Sequence, residues 1–174
     1  MKAVLNKELH RIVSTCIIRR HGKYLILRRA LFEKAFPGRW TVPGGGLHPE
    51  DYLTAKKTTS DAWYFVLDKS LRREIKEETG LEVGELEYLL DLAFVRPDGI
   101  PVVTLSYFAP CKSGKVKLDD KHVEFAWVSA KEVYDYDLIE GIREEIEMVE
   151  RILKGGRRPG KDKIKLFQKL LRKQ

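Results

Sequence analysis

The sequence predicts an α+β domain in which a mixed β-sheet lies between helices, a helix–sheet–helix sandwich. Three observations carry this. Short runs rich in β-branched residues, punctuated by Gly and Pro turns, fill 11–46 and 85–128. Residues 62–79 and 138–153 instead place apolar side chains at helical spacing. At 174 residues and 43% hydrophobic, the chain is long enough for one domain with a sizeable core.

Residues 11–18 read as a strand, His21-Gly22 as a turn and 23–29 as a second strand, giving a hairpin. A loop, 30–38, leads to a short extended piece, 39–42, which Pro43-Gly44-Gly45-Gly46 ends. Three successive glycines let the backbone approach a phosphate, a metal or another segment closely. Residues 47–61 are polar and without period, as in a surface loop. Ser60 or Asp61 is a fitting N-cap for a helix over 62–79 with Tyr64, Leu67, Leu71 and Ile75 as its core stripe. Strands follow at 85–95 and 101–110, joined by Arg96-Pro97-Asp98-Gly99, then a turn at 112–117 and a strand at 121–128. A short helix at 130–134 precedes an amphipathic helix, 138–153, with Ile142, Ile146, Val149 and Leu153 on one face. Beyond a Gly-rich break, 161–172 reads as a short helix bearing Ile164, Phe167, Leu170 and Leu171 on one side.

The end of the 62–79 helix is locally unfavourable. Glu74 and Glu78 are like charges at i, i+4, costing roughly 0.2–0.5 kcal/mol. Both lie in the last turn, where the helix dipole favours cations. Gly80 supplies the left-handed stop and Leu81 folds back on the last turn. At about 100° per residue, Glu78 falls nearly in line with Leu71, so these acids turn toward the core edge. A divalent cation would cancel the repulsion; a solvated acidic helix end is the competing reading.

The net charge of +7 is unevenly placed. From Arg151 onward ten Lys or Arg face the single acid Asp162, while the first 150 residues hold 23 basic and 25 acidic ones. No apolar run reaches the length of a membrane span and the N-terminus lacks a signal-peptide core, so a cytoplasmic location is expected. Cys16 and Cys111 make no metal spacing and read as buried free thiols.

Pro43-Gly44-Gly45, with Arg73-Glu74-Ile75-Lys76-Glu77-Glu78-Thr79-Gly80-Leu81 after it, resembles the signature of the MutT-like Nudix hydrolases. The nine residues 73–81 match at every specified position of its second half. The resemblance spans roughly 10–150 and includes the Glu-x-x-Trp-Val stretch at 124–128. The front half departs from the pattern: residues 52–72 stand where the family has seven, an insertion near 52–65, and either Glu50 or Asp51 fills the first acid position. The insertion reads as a lid, a substrate-selecting wall or a tolerated surface loop.

The resemblance implies a Nudix-type α/β/α sandwich over 1–154 with a basic tail, 155–174. It implies hydrolysis of a nucleoside diphosphate linked to a moiety X, with Mg²⁺ or Mn²⁺ as cofactor and a nucleotide as the partner. Candidates run from nucleoside triphosphates to nucleotide sugars, ADP-ribose, dinucleoside polyphosphates and cap-like ends, with triphosphates or related small nucleotides preferred. Glu74, Glu77 and Glu78 are the implied metal ligands, joined by the Gly44 carbonyl, and Arg73 orients Glu77. Glu77, Glu78 or Glu124 serves as general base, with His122 a rival. The alternative function is a catalytically silent nucleotide-binding or RNA-associated regulator of the same fold.

Trp40 reads as core rather than base-stacking, and Phe94 and Tyr107 as core or cleft wall. Arg28, Arg29 and Arg39 read either as phosphate holders or as idle charges. The tail docks through its apolar side, binds an acidic partner, or frays; docking is preferred, and no nucleic-acid-reading motif accompanies it. A homodimer is the default assembly.

Overall fold

The computed structural model describes residues 9–96, 98–156, 158, 160 and 167–169. Its strands are β1 (Arg11–Arg20), β2 (Lys23–Arg29), β3 (Trp40–Thr41), β4 (Gly44–Gly46), β5 (Glu82–Val83), β6 (Glu87–Val95), β7 (Pro101–Ser113) and β8 (His122–Val128). The α-helices are α1 (Glu50–Leu53), α2 (Val66–Thr79) and α3 (Ile142–Leu153), with a 3₁₀ turn at Glu132–Asp135.

The sheet is mixed, as expected. β1 pairs parallel with β7, while β2, β4, β6 and β8 pair antiparallel with their neighbours. Both faces of β1 and β2 are covered, which explains their nearly continuous apolar runs. Cys16, Ile18, Leu25 and Leu27 point to α2 and pack with Leu71 and Ile75. The alternating Ile17, Tyr24 and Ile26 point the other way, to Ile146 and Val149 of α3. Burial pushes the Cys16 thiol far up, as suits an inert core cysteine.

Four boundaries differ from the sequence expectations. α2 starts at Val66, not at residue 62, because Phe65 is left-handed at φ 60° and breaks the helix. Neither Ser60 nor Asp61 caps it, and Tyr64 is 55% exposed instead of joining the stripe. Within the expected 47–61 loop, α1 makes one turn after Pro49. α3 starts at Ile142, because Leu138 bridges to Trp40 and Gly141 is left-handed at φ 95°. β7 runs past Pro110 to Ser113, where β5 pairs with it, so Cys111 is half-buried rather than buried.

The expected tail helix lies mostly outside the described residues. Phe167 packs against the α3-side core cluster and approaches Gly141. Arg158 donates to the Glu87 carboxylate and to the Tyr88 carbonyl. Of the face expected to dock, Phe167 alone is among the described residues; Ile164, Leu170 and Leu171 lie outside them.

Candidate active site

The glycine run folds as β4 against β1, with Thr15 opposite Gly44 and Val13 opposite Gly46. This lays bare backbone beside the last two turns of α2. A Cβ on Gly45 would stand 2.5–2.6 Å from both carboxylate oxygens of Glu74. A Cβ on Gly44 would meet Thr15 Cα at 2.6 Å, and Gly44 has φ +151°, a backbone that side chains rarely adopt. The Gly44 N–H donates to Glu78 Oε2 at 2.9 Å. Glu78 is 5% and Glu74 7% exposed, so the inward turn read from the helical wheel is what the fold contains. Burial pushes the Glu78 carboxyl up to about 8; the negative charges of Glu74 and Asp119 add to this, and the Gly44 N–H and Arg29 oppose it.

Arg73 is the hub of the opposite side of the helix end. Its guanidinium donates to Glu74 Oε1 at 2.9 Å and to Glu77 Oε2 at 2.8 Å. It also holds Asp51, from Nε to Oδ1 at 2.7 Å and from Nη2 to Oδ2 at 3.2 Å. Ser70 Oγ and the His48 N–H add bonds to the same carboxylate at 2.8 and 2.9 Å. Arg73 holds the Asp51 carboxyl down at about 2. Of the two acids left open by the sequence, Asp51 is thus the one joined to the motif helix. The Glu77 side chain is 56% exposed and does not line the cavity, and the Arg73 guanidinium joins its carboxylate to that of Glu74.

A cavity of about 600 Å³ opens on Glu74, Glu78 and the three glycines. Arg11, Arg29, Lys34, Arg96 and Lys121 bring five cationic side chains to its walls. Its far end, formed by Val102, Thr104, Phe94, Ile142 and Glu145, is mainly apolar. A second hollow of about 860 Å³ adjoins it, sharing Phe36, Phe94, Ile139 and Glu145. No residue of 52–65 lines either hollow, so the insertion stands outside the cleft.

The later-strand residues fall differently from expectation. Glu124 is paired with Arg28 at 3.4 Å, its side chain 55% exposed, and it does not line the cavity. A bulge between Arg28 and Arg29 opposite β8 shifts the register there. His122, the rival for general base, is 4% exposed and lines the cavity. Its Nδ1 lies 2.8 Å from Asp119 Oδ1. Burial holds the imidazole below its ordinary range, against the pull of Asp119. Trp40 is core, edge-on to Tyr136 with ring centres 4.8 Å apart. Arg28 and Arg39 are spent on Glu124 and Asp137, and Arg29 pairs with Glu33 while still facing the cavity. Phe94 is cleft wall, whereas Tyr107 packs edge-on to Tyr88 at 5.9 Å.

Two residues that the sequence reading passed over belong to this site. Asp119 precedes β8 in a polar loop and gives no periodic signal. Glu145 left a trace: it occupies the apolar stripe of α3 between Ile142 and Ile146. It accepts from Ser106 Oγ at 2.5 Å, and burial, with the Glu144 charge, raises its carboxyl to about 7.

The donor set at Glu74 and Glu78, two buried carboxylates beside bare backbone, fits a hard divalent cation. Comparisons with known proteins agree with the geometry. The nucleoside triphosphatase NudI of Escherichia coli K12 is 25% identical over 142 residues, covering 76% of this chain and 91% of that protein. NudI of Klebsiella pneumoniae strain 342 is 28% identical over 133 residues, 70% of this chain and 84% of that protein. The crystal structure of the MutT protein from Methanosarcina mazei Go1 aligns with TM-score 0.65 and 24% identity, covering 86% of this chain and 99% of that one. The NUDIX domain of Shewanella oneidensis NrtR complexed with ADP ribose aligns with TM-score 0.62 and 18% identity, covering 84% and 90%. At such identities the structural likeness speaks for the fold. The sequence model of the NUDIX domain matches residues 8–151, and with the motif helix, glycine strand and mixed sheet in place, the chain belongs to the NUDIX family as a MutT-like Nudix hydrolase.

Proposed function

We propose that the chain is a divalent-cation-dependent pyrophosphohydrolase of the cytoplasm, cleaving a phosphoric anhydride of a nucleoside triphosphate or related nucleotide by attack of water on phosphorus. The observation that carries this is the burial of Glu74 and Glu78 side by side against three glycines. Glu74 has Arg73 at 2.9 Å, whereas Glu78, raised to about 8 by burial, is charged at neutral pH only where a further cation favours it. Glu74 and Glu78 of α2, with the Gly44 carbonyl of β4, would hold Mg²⁺ or Mn²⁺, which would neutralise phosphate charge and acidify a water.

The chain's own residues divide the remaining work. Arg73 fixes the Glu74 and Glu77 carboxylates and is itself fixed by Asp51. The five cations around the cavity suit a polyphosphate. Its apolar far end, with Thr104 and Glu145 as polar points, suits a base and sugar. Glu78 is favoured as proton acceptor over Glu77 and Glu124, because it alone of the three lines the cavity. Residues 1–154 form the hydrolase domain in this reading, with 155–174 as an appended basic tail.

The test is phosphate and pyrophosphate release from a panel of nucleoside triphosphates, nucleotide sugars and ADP-ribose with Mg²⁺ or Mn²⁺. Metal-dependent release by the wild type, reduced about 100-fold or more in Glu78→Gln, is the expected result. No metal-dependent turnover on any member of the panel overturns the proposal.

A further inference from the structure

The acids beside the glycines do not account for the whole polar end of the cavity. Glu78 from the end of α2, Asp119 from the loop before β8 and His122 from the first position of β8 each bring one ligand atom within 4.8 Å of the others. Two donors at about 2.1 Å from one ion lie at most about 4.2 Å apart, so a small side-chain adjustment closes the set. Glu78 and His122 are buried and line the cavity. Arg29, the nearby cation that acts on both, is already committed to Glu33 and the Ala35 carbonyl.

The histidine is also oriented as a ligand is. Its Nδ1 lies 2.8 Å from Asp119 Oδ1, close to the roughly 3 Å that separates two adjacent donors on one ion, so an ion seated there would replace the proton between them.

Imidazole decides the kind of ion. Mg²⁺ prefers an octahedron of oxygens, whereas nitrogen ligands favour Mn²⁺, Co²⁺, Zn²⁺ and their neighbours. We propose that Glu78, Asp119 and His122 form a cation site with an imidazole ligand, selective for transition-metal divalent ions over Mg²⁺ and adjoining the all-carboxylate position at Glu74. It rests on the reading above only in sharing Glu78 with that position. His122 and Asp119 both lie outside the two halves of the motif, at the entry to β8.

The probe is Co²⁺, whose visible absorption intensifies when nitrogen enters a four- or five-coordinate shell. Full-length protein is titrated with Co²⁺ in excess Mg²⁺. The expected result is a saturable band at one equivalent that Mg²⁺ does not remove and Zn²⁺ does. Affinity falls about 10–100-fold in Asp119→Asn and at least as far in His122→Asn. Equal titration of wild type and His122→Asn, or displacement of Co²⁺ by equimolar Mg²⁺, overturns the proposal. Should His122→Asn fail to fold, the imidazole proton resonances of the wild type decide: one equivalent of Zn²⁺ must shift those of His122, and unshifted signals overturn it. A Co²⁺ band without nucleotide hydrolysis in any metal upholds this site and removes the hydrolase reading. Hydrolysis in Mg²⁺ without the band does the reverse.

Discussion

Asp51→Asn measures the joint between the insertion and the motif helix. The substitution keeps the shape of the side chain and removes its charge. A carboxyl that ordinarily titrates near 3.9 is held at about 2 by Arg73, with help from the His48 N–H and Ser70. By linkage, that difference corresponds to about 2.5 kcal/mol of stability at pH 7. The Asp51 side chain is 7% exposed but Arg73 is 34% exposed, so solvent screening brings the expected loss to about 1–2 kcal/mol. The direction with pH follows from the depressed value. The contribution is complete above the ordinary carboxylate range and is lost as pH falls toward 2, with about half remaining at pH 3. Urea unfolding of wild type and variant at pH 7, 5, 4 and 3 reads it out, because other titrating groups cancel in the difference. A gap between the two proteins that stays constant from pH 7 to 3, or that is under about 0.3 kcal/mol throughout, refutes the clamp.

The two glycines should separate function from folding. Gly45→Ala displaces the flexible Glu74 carboxylate, so turnover falls about tenfold or more with a midpoint change under about 1 kcal/mol in urea. Gly44→Ala meets backbone at β1 in a strained φ and is expected to lose about 2 kcal/mol or more of stability. Glu124→Gln, removing an exposed partner of Arg28, changes kcat/KM less than about threefold, whereas a catalytic base there would cost about 100-fold. Glu145→Gln tests the buried acid of α3. Its carboxyl titrates at about 7 in the fold, so the native state keeps a proton that the unfolded chain has released, and wild-type stability falls as pH rises from about 4 to 7. The variant lacks this dependence, and its advantage should grow by about 2 kcal/mol or more between pH 5 and pH 8 in chemical denaturation.

What the sequence made legible follows from where the determining forces are local. β2 runs Lys23–Arg29 as expected, because both flanking turns and the apolar run are set by neighbouring residues. The stop of α2 is likewise local: Gly80 adopts φ 70° and Leu81 is 1% exposed beneath it. The start of α2 was not legible. Phenylalanine has no preference for the left-handed region that Phe65 occupies. Hydrogen bonds of the preceding loop, Thr58 N–H to Ala62 carbonyl and Ala62 N–H to Thr59 Oγ1, set the chain's approach to it. The place of Glu124 is set by tertiary structure. Its nearness to Trp127-Val128 in sequence carries no knowledge of the bulge that leaves His122 at the cavity and Glu124 with Arg28. The inward turn of Glu74 and Glu78 was readable from the helical wheel, but Glu77 stands alone in solvent with Arg73.

The insertion explains how a divided motif still assembles. Asp51 and Arg73 are 22 positions apart in the chain, yet the fold brings them to 2.7 Å. Lengthening the connection from the family's seven residues to 21 raises the loop-closure cost by only about 1 kcal/mol, because that cost grows logarithmically. The Asp51–Arg73 pair offsets an amount of this size. The segment between also holds itself together. Trp63 stacks edge-on to Tyr52 with centres 5.4 Å apart, donates to the Ala55 carbonyl at 2.9 Å and carries Lys57 over its ring. A loop that is closed at its base by Asp51 and packed on its own aromatics leaves no segment to disturb Glu74 and Glu78. The exposed Tyr64 and Phe65 then lie beside the start of α2, about three turns of helix from its acidic end. Changes in the loop tip should therefore move stability far more than chemistry, unless they unseat Asp51.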